Sequence, residues 1–180
     1  MQIANAAIVL ALLAATATGG ERKLGLELLT PKAGQYERVD FRISPDHEYR
    51  NPFDPDEVDL RLEVTAPGGE RIAVPAFFAQ DYRRGGPSGD RRDWFYPTGK
   101  AGWKARFAWG RPGAYSAVAG LRDSQGEIRS DQARSEIVES QRRGYVRVSR
   151  QDPRFFAFDD GTPFFAIGHN HAFVGNAQYA

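Results

Sequence analysis

The sequence predicts an all-β protein built as a two-sheet antiparallel sandwich. Short segments of about five to eight residues alternate between apolar and polar side chains, which is the period of a half-buried strand. The 19 glycines and 11 prolines are concentrated between these segments, where they are typical of tight turns. No helical period of useful length follows the N-terminal apolar run, so a fold made of strands and turns is expected.

Composition limits the possible functions. The 180 residues suffice for one domain and not for two. The 24 Lys and Arg nearly balance the 23 Asp and Glu, which argues against nucleic acid as the main partner. Cysteine is absent, so disulfides and thiolate metal sites are excluded and stability must come from packing.

The N-terminus predicts export. Ala6–Ala15 is an apolar run of about ten residues, long enough for a signal-peptide core and too short to span a bilayer. Ala15-Thr16-Ala17 fits a cleavage site, so residues 1–17 are interpreted as a signal peptide of a periplasmic or extracellular protein, with no membrane segment after cleavage. No Lys or Arg precedes the run, which leaves an uncleaved anchor as the alternative.

The first strands are predicted from alternation. Leu24–Thr30 is a short apolar segment, and Tyr36–Ser44 places Val39, Phe41 and Ile43 on one side. Val58–Val64 is the clearest strand, and its inward residues are Val58, Leu60, Leu62 and Val64. Arg71–Val74 pairs back after a hairpin turn, and Phe77–Tyr82 is again extended.

Two loops invite functional hypotheses. Tyr49–Glu57 carries Asp54, Asp56 and Glu57, whose carboxylates could bind calcium, although acidic proline-rich loops are usually only turns. Arg83–Lys100 is predicted to be the longest loop. Its Trp94 and Tyr96 are candidates for carbohydrate contact, and packing on the core or on a neighbouring domain is the alternative.

The remaining strands complete the predicted sandwich over residues 21–149. Trp103–Trp109 alternates with its aromatic residues inward, and the later strands are Ala114–Leu121, Arg134–Glu139 and Gly144–Ser149. The arrangement is that of an Ig-like or fibronectin-like β-sandwich. The Cys…Trp…Cys pattern of antibody domains is missing, so the prediction concerns architecture and not membership of that superfamily.

The C-terminal part combines a hairpin with a histidine pair. Asp159-Asp160-Gly161 is a tight turn between the predicted strands Arg154–Phe158 and Pro163–Ile167. His169 and His171 are two residues apart and would face the same way on a strand, as in a metal site. No carboxylate or third histidine lies nearby in the sequence, so no metal ligand is assigned.

Several segments together resemble one bacterial arrangement, in which an Ig-like N-terminal domain of unknown function precedes a glycoside-hydrolase-like (β/α)₈ barrel. They are Tyr49–Val58, Ala76–Tyr82, Trp103–Phe107 with Pro112–Tyr115, and Gly144–Gly168. The resemblance covers nearly all of the chain after the signal peptide. It implies an exported polysaccharide-degrading enzyme in which the sandwich packs against the barrel and is not itself catalytic.

The same resemblance gives roles to residues 150–180, as a linker hairpin and the start of a truncated barrel. Phe164–Ile167 would be the first barrel strand, and His169, Asn170 and His171 would line a substrate pocket at its end. No catalytic residue is assigned, because Asp159 and Asp160 are adjacent in a turn and would point apart. No cofactor is expected, because phosphate-binding and dinucleotide-binding motifs are absent. The rival hypotheses are a free-standing carbohydrate-binding or adhesion module and a small metalloprotein using the two histidines.

Overall fold

The computed structural model describes residues 22–85 and 95–168, and in these ranges the chain is all-β, without helices. The strands are β1 Gly25–Leu28, β2 Lys32–Gly34, β3 Arg38–Ser44, β4 Val58–Thr65, β5 Arg71–Pro75, β6 Phe77–Arg84, β7 Phe95–Ala108, β8 Gly113–Asp123, β9 Gly126–Arg129, β10 Ala133–Val138, β11 Val146–Val148, β12 Phe156–Phe158 and β13 Pro163–Phe164. No helix able to cross a membrane occurs within the described ranges.

Two sheets form the main body. The first has the order β1-β3-β7-β6, and the second has the order β2-β10-β8-β4-β5, with β9 also paired to β8. The pairings are antiparallel, except that β2 runs parallel to β10. Two backbone bonds flank this parallel pair, from Gln35 N–H to the Val138 carbonyl at 2.8 Å and from Glu136 N–H to the Pro31 carbonyl at 2.9 Å.

The core lies between the two sheets, as in a β-sandwich. The predicted inward residues Val39, Phe41 and Ile43 of β3 are at most 2% exposed. The inward residues predicted for β4 are also buried. Phe107 of the first sheet meets Tyr115 of the second, with ring centroids 5.8 Å apart. Burying a side chain of this size contributes roughly 1.5–3 kcal/mol, so the alternating pattern accounts for much of the stability.

A polar network closes one end of the body. The Arg22 guanidinium donates to both carboxylate oxygens of Asp123 at 3.0 and 2.7 Å, and the Tyr49 hydroxyl donates to the same carboxylate at 2.7 Å. Arg22 also donates to Asp46 at 3.2 Å. The Asp123 side chain is only 2% exposed, so this network fixes Arg22 to the end of β8.

The prediction of a loop over Arg83–Lys100 is wrong at both ends of that range. Strand β6 continues to Arg84 and β7 begins at Phe95, with Tyr82 opposite Pro97 in the ladder between them. Pro97 is tolerated because β3 pairs with β7 only from Trp103 onward, so one side of β7 carries no ladder at Pro97. The two strands therefore extend beyond the rest of the first sheet as a two-stranded ribbon.

The last predicted strands also differ. Gly144–Ser149 was expected in the sandwich, but β11 forms a third sheet of order β11-β12-β13. The hairpin around Asp159-Asp160-Gly161 is confirmed, since β12 pairs with β13. Its second strand ends at Phe164 and not at Ile167. The short strands β2 and β9 were not predicted, because three or four residues are too few to establish a period.

Candidate docking surface

The small third sheet has two chemically different faces. In its register Val146 lies opposite Phe158, Val148 opposite Phe156, and Phe156 opposite Phe164. Directly paired residues of antiparallel strands project to the same side. One side therefore carries only apolar residues, and we call it the docking face: Val146, Val148, Phe156, Phe158 and Phe164.

The docking face is largely uncovered by the described residues. Val148 is 57% exposed, Phe156 is 50% exposed and Val146 is 42% exposed. Phe158 and Phe164 are half-buried and contact each other edge to face, with centroids 5.4 Å apart. A continuous apolar face of this kind is a candidate interaction surface, because scattered exposed apolar residues would not converge on one side of a sheet.

Three further apolar side chains next to the small sheet are exposed. Phe155 is 57% exposed, Phe165 is 77% exposed and Ile167 is 92% exposed. Arginines lie at its rim, with the Arg143 guanidinium 5.7 Å from the Phe158 ring centroid and that of Arg154 5.7 Å from the Phe155 ring. An apolar centre with arginines at its edge is the composition of a protein–protein interface.

The opposite face of the small sheet carries Arg147, Ala157 and Pro163, and the adjoining Tyr145 contacts the sandwich. The Tyr145 hydroxyl donates to the Ala108 carbonyl at 2.9 Å, and its ring lies edge-on to Tyr36 at 5.2 Å. Asp159 accepts from the Tyr145 N–H at 2.9 Å and from Arg147 Nε at 2.5 Å. These two donors lower the pKa of Asp159, so its carboxylate is ionised at neutral pH and fixes the backbone of Tyr145, which bonds the sandwich.

Gly144 makes this junction possible. Its φ of 94° is in the left-handed region, and a Cβ placed there would lie 2.5 Å from Asp159 Cβ. Only glycine satisfies both requirements without displacing the neighbouring strand. The sequence does not indicate this junction, because Gly144 is predicted to begin the strand Gly144–Ser149 and Asp159 is predicted only as part of a turn. The hydrogen bond between the Tyr145 N–H and Asp159 joins residues that are 14 positions apart, so it is a tertiary contact that no local pattern predicts.

The ribbon of β6 and β7 forms a second exposed aromatic region. Tyr96, a predicted carbohydrate contact, is 47% exposed and lies under the Arg83 guanidinium at 5.7 Å. Tyr82 and Phe95 are 58% and 64% exposed. Pro97 is paired with Tyr82, so Tyr82, Phe95 and Pro97 share the ribbon face opposite Tyr96.

Most other predicted site residues lie outside the described ranges. These are Trp94 and the three candidate pocket residues His169, Asn170 and His171, together with the signal peptide over residues 1–17. In the acidic loop, Asp54 accepts from Asp56 N–H at 3.0 Å and Glu57 accepts from Arg50 N–H at 2.6 Å. These carboxylates cap a turn, and within the described ranges no three potential ligands converge on a metal position.

The polar turn residues are engaged separately. Asp160 accepts from the Thr162 N–H at 2.9 Å and from its hydroxyl at 2.6 Å, whereas Asp159 bonds towards Tyr145. The carboxylates of Asp159 and Asp160 therefore bond different partners and do not face a common position. The described part of the chain defines an all-β protein with an apolar docking face, and it shows no paired carboxylates arranged for acid–base chemistry among these turn residues.

Comparisons with known proteins give one weak structural likeness. The chain resembles the crystal structure of "a putative glycoside hydrolase from Bacteroides vulgatus ATCC 8482", with 14% sequence identity and a TM-score of 0.49. The match covers 76% of this chain and 22% of that chain, so it spans less than a quarter of the length of that protein. No protein-family model and no curated protein matches the sequence.

Proposed function

We propose that this chain is the N-terminal accessory region of an exported glycoside hydrolase, in which an Ig-like sandwich packs against a catalytic (β/α)₈ barrel. The single observation that supports packing is the apolar docking face of the small sheet. A soluble protein gains stability when such a face is covered, at roughly 25 cal/mol per Å² of apolar surface. The enzyme class rests on the motif resemblance, and export rests on the apolar run Ala6–Ala15.

The occupant of the docking face is proposed to be the polypeptide that follows it. The exposed residues Phe165 and Ile167 come directly after β13, so the apolar surface continues along the chain towards the residues after Gly168. A following domain would meet the face without any cost of bimolecular association. In this proposal the sandwich orients the barrel, and His169, Asn170 and His171 line a pocket that the barrel completes.

The test compares the chain alone with the longer polypeptide encoded by the downstream reading frame. The chain alone is expected to hydrolyse no polysaccharide, and the longer protein is expected to contain two carboxylates at barrel strand ends and to be active. In the longer protein, Phe156→Asp should lower the melting temperature by several degrees because it places a charge in a buried contact. Tyr82→Asp on the ribbon is the matched control and should leave the melting temperature unchanged.

Two results would refute this proposal. Polysaccharide cleavage with normal turnover by the chain alone would show that it carries its own catalytic site. Equal melting temperatures for Phe156→Asp and Tyr82→Asp in the longer protein would show that the docking face is not covered.

A free-standing carbohydrate-binding or adhesion module is the second candidate function. The observation in its favour is the half-exposed Tyr96 on the ribbon, close to Trp94 in sequence. On this hypothesis Tyr96→Ala and Trp94→Ala each reduce binding to a glycan array at least tenfold. Absence of binding by the unsubstituted chain would remove the candidate.

A further inference from the structure

A cleft lies at the junction between the sandwich and the small sheet, with a volume of about 500 Å³. Three aromatic and three charged residues line it, together with Ile72, Ala108 and Gly110. The aromatic and charged residues are Tyr36, Trp109, Arg111, Tyr145, Arg147 and Asp159. The cleft is an open surface groove in which aromatic rings lie beside charged and polar groups.

The aromatic rings are held in place and remain accessible. Tyr145 is 42% exposed and is fixed by its hydrogen bond to the Ala108 carbonyl. Trp109 is half-buried and packs against Tyr115 with centroids 5.7 Å apart. Tyr36 has a φ of 63°, an uncommon conformation for a residue with a side chain. Its N–H donates to the Trp109 carbonyl at 2.8 Å, which maintains this geometry.

The charged groups are paired in a way that leaves hydrogen-bonding capacity. Arg147 uses Nε to bond Asp159, and its two terminal nitrogens have no hydrogen-bond partner among the described residues. Its side chain is 63% exposed, and that of Asp159 is 22% exposed. A guanidinium beside a carboxylate therefore offers donors and acceptors next to aromatic surfaces.

The charge balance favours an uncharged ligand. Arg111 donates to both oxygens of Glu70 at 3.1 and 3.4 Å, so its charge is compensated in the same way as that of Arg147. The two arginines and the two acids sum to zero. A neutral ligand with adjacent hydroxyls and an apolar ring face suits this arrangement, because hydroxyls both donate and accept and ring C–H groups pack on aromatic side chains.

We infer that the junction cleft binds a neutral sugar unit of a polysaccharide. This inference deepens the proposed function and rests on it for the nature of the ligand. It places recognition at Trp109 and Arg147, on the opposite side of the small sheet from the docking face. The cleft is therefore left free when the docking face is covered.

The test is a ¹⁵N–¹H titration of the chain with hexaoses of glucose, xylose and mannose, with trigalacturonate as the charged counterpart. The Trp109 indole resonance is expected to shift with at least one neutral hexaose at millimolar concentration. The Trp103 indole, which belongs to a 7% exposed core residue, should not shift. A shift confined to Trp94 would place binding outside the cleft and overturn the inference.

Arg147→Lys keeps the charge and removes the planar fork, so affinity should fall about tenfold or more. The matched control is Arg129→Lys, because Arg129 pairs with Glu63 through two bonds of 2.9 and 2.5 Å outside the cleft. Equal affinity of the two variants would contradict the inference. An unshifted Trp109 resonance with every hexaose would also contradict it. Because hydrolysis by the longer polypeptide is measured separately, failure of this site can be distinguished from failure of the proposed function.

Discussion

At the scale of single residues, Asp123 is a buried acid that accepts hydrogen bonds from Arg22, Tyr49 and the Gln125 N–H. Burial opposes its ionisation, but the hydrogen bonds from Arg22, Tyr49 and the Gln125 N–H outweigh burial and lower its pKa to about 2. Burial raises the pKa of the Tyr49 hydroxyl, and its hydrogen bond to Asp123 raises it further. One buried acid therefore holds the N-terminal segment, the loop before β4 and the turn after β8 together.

Replacing Asp123 with Asn should destabilise the fold. The amide cannot accept both guanidinium bonds, and Arg22 would lose its buried counterion, at a cost of about 2–3 kcal/mol. Urea unfolding followed by tryptophan fluorescence measures the loss. Glu136→Gln is the control, because the Glu136–Lys32 pair is 3.7 Å apart with both side chains more than half exposed, and its midpoint should not move.

The contribution of Asp123 should depend on pH. Its folded-state pKa of about 2 is below the reference value of 3.8, so the ionised form stabilises the folded state. The contribution is complete above about pH 4 and is lost as the pH falls through about 2. Urea midpoints of the unsubstituted protein and of Asp123→Asn should therefore converge between pH 4 and pH 2. A constant difference over this range would refute the assignment.

At the scale of secondary structure, the sequence predicted the strands of the body well and the long hairpin poorly. Strands β3 and β4 have clean alternation because one face of each is buried. The ribbon end of β7 is exposed on both faces, so it has no period to detect. This segment is rich in glycine, proline and charged residues, and that composition predicts a loop. The backbone nevertheless pairs with β6 in an antiparallel ladder.

Two glycines of the small sheet give a matched pair for testing the junction. Gly144 and Gly161 have φ values of 94° and 86°, so alanine is strained at both positions, by roughly 1 kcal/mol. Only at Gly144 would the added Cβ clash, 2.5 Å from Asp159 Cβ, whereas Gly161 has open space. Gly144→Ala should therefore release Tyr145 from Asp159.

Hydrogen exchange measures this release. The Tyr145 amide, which bonds Asp159, should exchange at least tenfold faster in Gly144→Ala than in Gly161→Ala. The Leu62 amide in the central strand β4 should exchange at the same rate in both variants. Equal rates at Tyr145 would show that the junction accommodates the extra carbon.

At the scale of the whole molecule, the apolar character of the docking face could be anticipated from its phenylalanines, but the cleft behind it could not. Val148 and Phe156 are conspicuous in the sequence, and alternation predicts that each shares a face with its neighbours two residues away. The cleft needs Trp109 from the end of the body beside Arg147 from the small sheet. No local pattern encodes a contact between segments that distant.

The uncovered docking face should make the chain alone prone to self-association. Val148→Thr combined with Phe156→Thr should reduce binding of a dye that detects apolar surface at least twofold and should raise the concentration at which aggregates form. The urea midpoint should stay unchanged, because both residues are at least half exposed. Phe53→Thr, which removes a 75% exposed aromatic residue outside the face, should change aggregation little.

The parallel pairing of β2 with β10 has a mechanical consequence. Strand β2 follows the N-terminal segment closely, and β10 leads into the small sheet. Because the two strands run in the same direction, tension between the chain ends pulls them lengthwise past each other. The hydrogen bonds of the ladder are then loaded in shear and must break together instead of one by one. A module with this geometry resists extension until the whole ladder between β2 and β10 breaks at once.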